Sequence, residues 1–165
     1  MKVYTKVGDK GTTRTYSGKE IPKDDPIIII GGKIDTLQAS LDYAKIVLSD
    51  TEIIEIIEDV QKKLWQSAGE ISQEGTEKLK EPITEENITT LEQNIDKYNQ
   101  KIDFFIRFSK ESSCRLNEAR IRTRELEITM TQKHLEGKIR SEVYKYINRL
   151  SDLIYVLACK EEKQQ

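Results

Sequence analysis

From Ile34 to the end of the chain, apolar residues recur three and four positions apart. This is the spacing that lines one face of an α-helix. Ile34, Leu37, Leu41, Ala44 and Leu48 mark a first helix, opening after a break at Gly31-Gly32. A second, starting near Ser49 or Thr51, carries Ile53, Ile57, Val60, Leu64, Ala68 and Ile71. Gly75 and Pro82 bracket a connector. Thr84 is the N-cap expected of a third helix, with Ile88, Leu91, Ile95 and Tyr98 turned inward. Leu116, Ala119, Thr123, Leu126 and Met130 define a fourth helix, and Val143, Ile147, Leu150, Ile154 and Leu157 a fifth. Five amphipathic helices with short connections predict an all-α fold, an antiparallel five-helix bundle.

The first thirty residues follow neither period. Met1 to Asp25 holds Gly8, Gly11 and Gly18, four threonines and five lysines, and reads as an ordered loop or arm. The expected organisation is a single domain over 1–165, with an N-terminal arm at 1–30 and the bundle at 31–161.

Composition narrows the function classes. The chain has 165 residues, 36% hydrophobic and 34% charged, with only 3 Pro. A domain of this length buries roughly 70% of its unfolded surface and folds without a disulfide or a structural metal. The formal net charge of -2 lacks the basic surplus of a generic nucleic-acid binder, so any anion site is local. The longest apolar run, Ile27 to Ile30, is far too short for a bilayer span. No apolar stretch follows the first residues as a secretion signal would, so the expected location is the cytoplasm. Cys114 and Cys159 lack metal-ligand spacing and are expected as free thiols in a reducing compartment. No metal site built from protein side chains is expected, and His134 lies in a predicted turn.

Four groups of residues could carry chemistry. The arm contains Tyr4-Thr5-Lys6-Val7-Gly8-Asp9-Lys10-Gly11-Thr12-Thr13-Arg14. Glycines let backbone N–H groups turn toward an anion, hydroxyls add donors, and lysines add charge, which suits a triphosphate. The spacing is not that of a Walker A loop, and a solvated glycine turn is the competing reading. On the fourth helix, Arg120, Arg124 and Glu127 form one stripe beside the apolar face, while Arg122 points elsewhere. Such a stripe is either a solvated flank or the partner of Asp35, if the first and fourth helices pack. Asn148 and Asp152 lie one turn apart, off the apolar seam of the fifth helix, where Arg149 and Asp152 could simply be an exposed pair. Phe104-Phe105-Ile106-Arg107-Phe108 is either core or a flat wall for a planar ligand.

Taken in order, these segments resemble the PduO-type ATP:cob(I)alamin adenosyltransferases. The likeness rests on Tyr4 to Thr13, Pro22-Lys23-Asp24-Asp25-Pro26, Gly32 to Asp35, Ala119-Arg120…Arg124…Glu127, and Asn148-Arg149-Leu150-Ser151-Asp152-Leu153. It runs from Tyr4 to about Ala158. The resemblance implies a ferritin-like helical bundle assembled as a homotrimer, with ATP between neighbouring subunits. It implies an ATP site of Thr5, Lys6, Val7, Gly8, Thr13, Arg14 and Lys23, completed by Arg124, Glu127 and Asn148 of the adjoining subunit. Asp35 and Arg120 would form a salt bridge across the interface, and Phe104 would press on the corrin and exclude its lower axial ligand. Mg²⁺ would accompany the triphosphate. The implied reaction is attack of cob(I)alamin on the 5′ carbon of ATP, with release of triphosphate. A reductase and a product-accepting enzyme are the implied protein partners. The alternative is a non-catalytic ATP- or corrinoid-binding sensor or carrier of the same fold. Some positions depart from the family pattern: Val7 stands for Thr, Thr36 for Glu, Glu125 for Arg, and Ile128 for another usual Arg. Arg107-Phe108-Ser109 stands in a loop that is usually Pro-Gly-Gly-rich.

Overall fold

The structure, a computed structural model, describes residues 4, 6–15, 17–73, 81–99 and 106–163. Five helices make the bundle: α1 (Pro26–Val47), α2 (Thr51–Ser72), α3 (Glu85–Tyr98), α4 (Glu111–Leu135) and α5 (Ser141–Lys163). The helix α4 lies between α1 and α5, with α2 packed on α1 and α3 on α5. Ile34, Leu37, Ile53, Ile57, Leu116, Leu126, Ile147 and Leu150 are fully or almost fully buried along the shared axis. The periodic residues of the sequence therefore make up the core, except Ala68 and Ile95, which are partly buried against it, and the five-helix expectation holds.

One helix start differs from expectation. The first helix begins at Pro26, not after Gly31-Gly32. Asp25 caps it by accepting from the Ile27 N–H at 2.9 Å, and Pro26 sits in the first turn. Proline there has a preset φ and no N–H to leave unpaired, and the two glycines that follow cost the helix only about 1 kcal/mol each. The run Ile27 to Ile30 is thus the first turn of α1, so the arm ends at Asp25. The cap of α2 is Asp50, whose carboxylate accepts from the Glu52 and Ile53 N–H groups. Thr84 caps α3 as expected, in a reciprocal capping box with Asn87.

The arm is more regular than its sequence suggests. A 3₁₀ turn over Val7–Lys10 leads into a hairpin of β1 (Thr12–Arg14) and β2 (Glu20–Pro22), paired antiparallel with Thr13 opposite Ile21. Strands of three residues are too short to display an alternating pattern. Thr15 and Gly18 close the hairpin, Gly18 at φ 83°, and Ile21 is buried.

His134 belongs to the last turn of α4, not to the turn after it. Its ring stacks on Tyr144 at 4.3 Å and Nδ1 lies 3.1 Å from the Ile139 carbonyl, which gives it a packing role. Cys114 is exposed, Cys159 is buried, and both are free.

Candidate functional site

The arm folds its glycine turn against a lysine. Gly11, at φ 82°, closes the 3₁₀ turn by donating to the Gly8 carbonyl at 3.2 Å. Its own carbonyl accepts from the Lys23 N–H at 2.9 Å. This bond brings the two ends of the arm together and lays the Lys23 side chain over Gly8. A Cβ added at Gly8 would stand 2.9 Å from Lys23 Nζ, so a side chain there would push that ammonium aside. Lys6 precedes the turn in the left-handed region, at φ 60°, with its ammonium 6.0 Å from the Tyr4 ring centroid. Thr13 and Arg14 lie on β1, Thr13 half-buried and Arg14 exposed. Thr12, beside them, spends its hydroxyl on Glu20 at 2.6 Å. Val7 contributes its backbone to the turn, while Thr5 and Phe104 lie outside the described residues.

A second group forms where α4 meets α5. Asn148 Nδ2 donates to Glu127 Oε1 at 2.6 Å, and Asn148 Oδ1 accepts from Arg149 at 3.1 Å. Arg149 pairs with Glu92 at 2.9 Å rather than with Asp152, so the exposed-pair reading of Asp152 does not hold. Partial burial pushes the Asp152 carboxyl up; Arg149 and Arg124 pull it down and Glu127 pushes it further up. Arg124 is exposed and has no carboxylate partner among the described residues. It is flanked on the same face by Ile121 and Ile128, themselves 44% and 69% exposed.

The third element is Arg120, which does not meet Asp35 within the chain. Its Nε donates to Asn117 Oδ1 at 2.9 Å, and its guanidinium stands 5.6 Å from the centroid of Tyr155. Asp35 is exposed and lines a separate cavity of about 540 Å³ with Arg14, Gly31, Gly32 and Trp65. Among the described residues the ion pair that joins α1 to α4 is instead Lys33–Glu125, at 3.1 Å. Lys33 and Arg122 hold the Glu125 carboxyl below its usual range. This gives Glu125 a structural task.

Within one chain the sequence-predicted residues therefore fall into separate groups. Lys6, Gly8, Thr13, Arg14 and Lys23 share the arm, with Asp35 beside Arg14 in one cavity; Arg124, Glu127 and Asn148 share the α4–α5 face; Arg120 stands apart from Asp35. Sequence reasoning missed Tyr155 and Trp65. Tyr155 looks like an ordinary position of α5, whereas Trp65, the only tryptophan in the chain, is 63% exposed and carried a compositional signal.

The family model for cobalamin adenosyltransferase matches residues 3–161. A corrinoid adenosyltransferase of Citrobacter freundii is 34% identical over 98% of this chain and 95% of its own length. The longer corrinoid adenosyltransferase PduO of the same organism is 30% identical over 98% of this chain, which spans 50% of that protein. Among solved structures, a variant PduO-type ATP:corrinoid adenosyltransferase from Lactobacillus reuteri, complexed with cobalamin and ATP, superposes with a TM-score of 0.85. That likeness is at 28% identity and covers 95% of this chain and 91% of the other. The arm, the bundle and the matched residues all lead to one assignment: the chain belongs to the cobalamin adenosyltransferase family.

Proposed function

We propose that this chain is an ATP:corrinoid adenosyltransferase, moving the 5′-deoxyadenosyl group of ATP to cob(I)alamin and releasing triphosphate. The observation that carries the reading is the Lys23 ammonium lying over Gly8, which makes a compact cationic cradle from a turn and its return strand. Lys6 and Arg14 extend that charge along the arm. A reduced corrinoid is itself the nucleophile, so the protein needs no general base. Its work is to position ATP and to stabilise the charge that builds on the leaving triphosphate.

In this reading Lys6, Gly8, Thr13, Arg14 and Lys23 hold the phosphates, with Thr5 and the Val7 backbone beside them. Arg124 of a neighbouring subunit closes over them, its planar fork engaging two phosphate oxygens. Asn148 and Glu127, already joined at 2.6 Å, would orient the nucleoside end. A homotrimer is supported by the separation of the arm from the α4–α5 group, and by exposed Ile121 and Ile128 on either side of Arg124. Asp35, which has no ion-pair partner among the described residues, and Arg120 are then joined only on assembly. Phe104 is assigned to the lower face of the corrin. Among the described residues no three His, Cys, Asp or Glu side chains cluster as a metal site. A Mg²⁺ ion would accompany the triphosphate and help to neutralise its charge. A reductase to supply the reduced corrinoid, an enzyme to accept the product and a cytoplasmic location complete the reading. No helix among the described residues is long and apolar enough to cross a membrane.

Product analysis tests the reaction. Adenosylated corrinoid and intact triphosphate should form in equal amounts; orthophosphate or pyrophosphate as the primary product would contradict it.

A further inference from the structure

The bundle has an open seam on the side away from α4. Because α2 packs on α1 and α3 on α5, no helix among the described residues closes the space between α2 and α3. A cavity of about 320 Å³ fills that seam, within the range of roughly 300–1,000 Å³ that small-molecule sites occupy. Its apolar lining is Ile56, Val60 and Leu91. On its α2 wall stand Glu55 and Asp59, one turn apart, exposed, and without an ion-pair partner among the described residues. A third carboxylate, Glu52, is already held by Lys97. Among the described residues no lysine or arginine lines the cavity, so the charge of Glu55 and Asp59 is not compensated by a lining side chain. The carboxylates do not gather into a three-ligand metal site among the described residues.

A second observation points to a ligand. Tyr146 of α5 forms the inner wall and is 1% exposed, yet its hydroxyl has no hydrogen-bond partner among the described residues. Buried hydroxyls are normally satisfied. Burial and the Asp59 carboxylate both raise its pKa, so it remains a neutral phenol that can donate and accept. An uncompensated pair of carboxylates at the mouth, an apolar middle and an unsatisfied hydroxyl at the base describe the complement of one ligand class.

We propose that the α2–α3 cavity binds a short aliphatic amine carrying a second polar group. Its ammonium rests between Glu55 and Asp59, its alkyl chain lies on Ile56, Val60 and Leu91, and its second polar group bonds the Tyr146 hydroxyl. None of these residues belongs to the arm or to the α4–α5 group, so the site stands or falls independently of adenosyl transfer.

The test titrates the full chain with 1,4-diaminobutane at constant ionic strength and follows backbone amide shifts. Saturable shifts confined to residues 52–60 and 87–94 are expected. The double variant Glu55→Gln/Asp59→Asn should raise the Kd at least about tenfold, and Tyr146→Phe should raise it several-fold. Corrinoid adenosylation should be unchanged in both. Glu55 and Asp59 are exposed, so the double variant keeps the test valid even if Tyr146→Phe disturbs the core. Shifts that sodium chloride reproduces, that persist in the double variant, or that do not saturate at millimolar diamine would overturn the proposal.

Discussion

Arg120 and Arg124 sit one turn apart on α4, yet their surroundings assign them different tasks. Arg124 is exposed, without a carboxylate partner among the described residues, and set between two exposed isoleucines. If its partner is the triphosphate, Arg124→Ala removes a charge-assisted bond worth about 1.5–3 kcal/mol. Steady-state kinetics should then show kcat/KM for ATP falling roughly ten- to a hundredfold, with the melting temperature unchanged. Arg120 is held by Asn117 and Tyr155. If Asp35 of a neighbouring subunit joins it on assembly, Arg120→Ala breaks a pair that is then buried, at a cost of about 3–5 kcal/mol. Sedimentation should show dissociation of the trimer in that variant. Wild-type behaviour of both variants would return the stripe to a solvated flank. At this scale the sequence was legible where residue type decides: glycine beside a lysine in the arm, arginines in a stripe on a helix. It was silent on Tyr155 and Asn117, which become partners of Arg120 only when α5 folds against α4.

Among the elements, the N-terminus of α4 depends most on a distant residue. Lys110 at its N-cap makes no side-chain cap. The carboxylate of Glu162, near the end of α5, takes that place. It accepts from the Ser109 and Lys110 N–H groups at 3.0 and 3.2 Å, and from the Ser109 and Ser113 hydroxyls at 2.5 Å each. These donors hold its pKa down to about 2, against 4.5 for an ordinary glutamate. A depressed carboxylate stabilises the fold fully above its unfolded pKa, and that contribution disappears as pH falls through the folded value. Glu162→Ala should therefore cost about 0.5–2 kcal/mol at neutral pH, as the loss of a cap does. The gap between variant and wild type in denaturant unfolding should narrow from about pH 4.5 toward pH 2; a gap constant over that range would contradict the assignment. The clamp was not legible in the sequence, because nothing local marks a C-terminal glutamate as the cap of another helix. Helix starts with local caps were readable in principle. Thr84 was read correctly, whereas at α1 the Gly31-Gly32 pair masked the stronger signal of Asp25-Pro26.

For the whole molecule, the bundle followed from apolar periodicity alone, since Ile34, Ile57, Leu126 and Ile147 are buried where that periodicity placed them. The proposed site did not, because the residues assigned to it fall into separate groups within one chain. Asp35 opens on the cavity beside Arg14 and Trp65, while Arg120 faces Tyr155. A periodic pattern reports which face a helix buries in its own fold and carries no information about a second copy. Assembly should consequently govern nucleotide binding. ATP at a hundred times its Kd should stabilise the proposed trimer by about 2.7 kcal/mol. Dilution below the trimer dissociation constant should remove that stabilisation in a thermal melt, whereas a melt shift independent of concentration would place the whole ATP site within one chain. The most direct test of the central claim is anaerobic turnover with chemically reduced cobalamin, ATP and Mg²⁺, followed by the loss of cob(I)alamin absorbance. Rapid loss that requires both ATP and the protein is the predicted result. Persistence of the cob(I)alamin spectrum, with ATP or corrinoid still bound, would contradict it and make this chain a carrier built on an enzyme's fold.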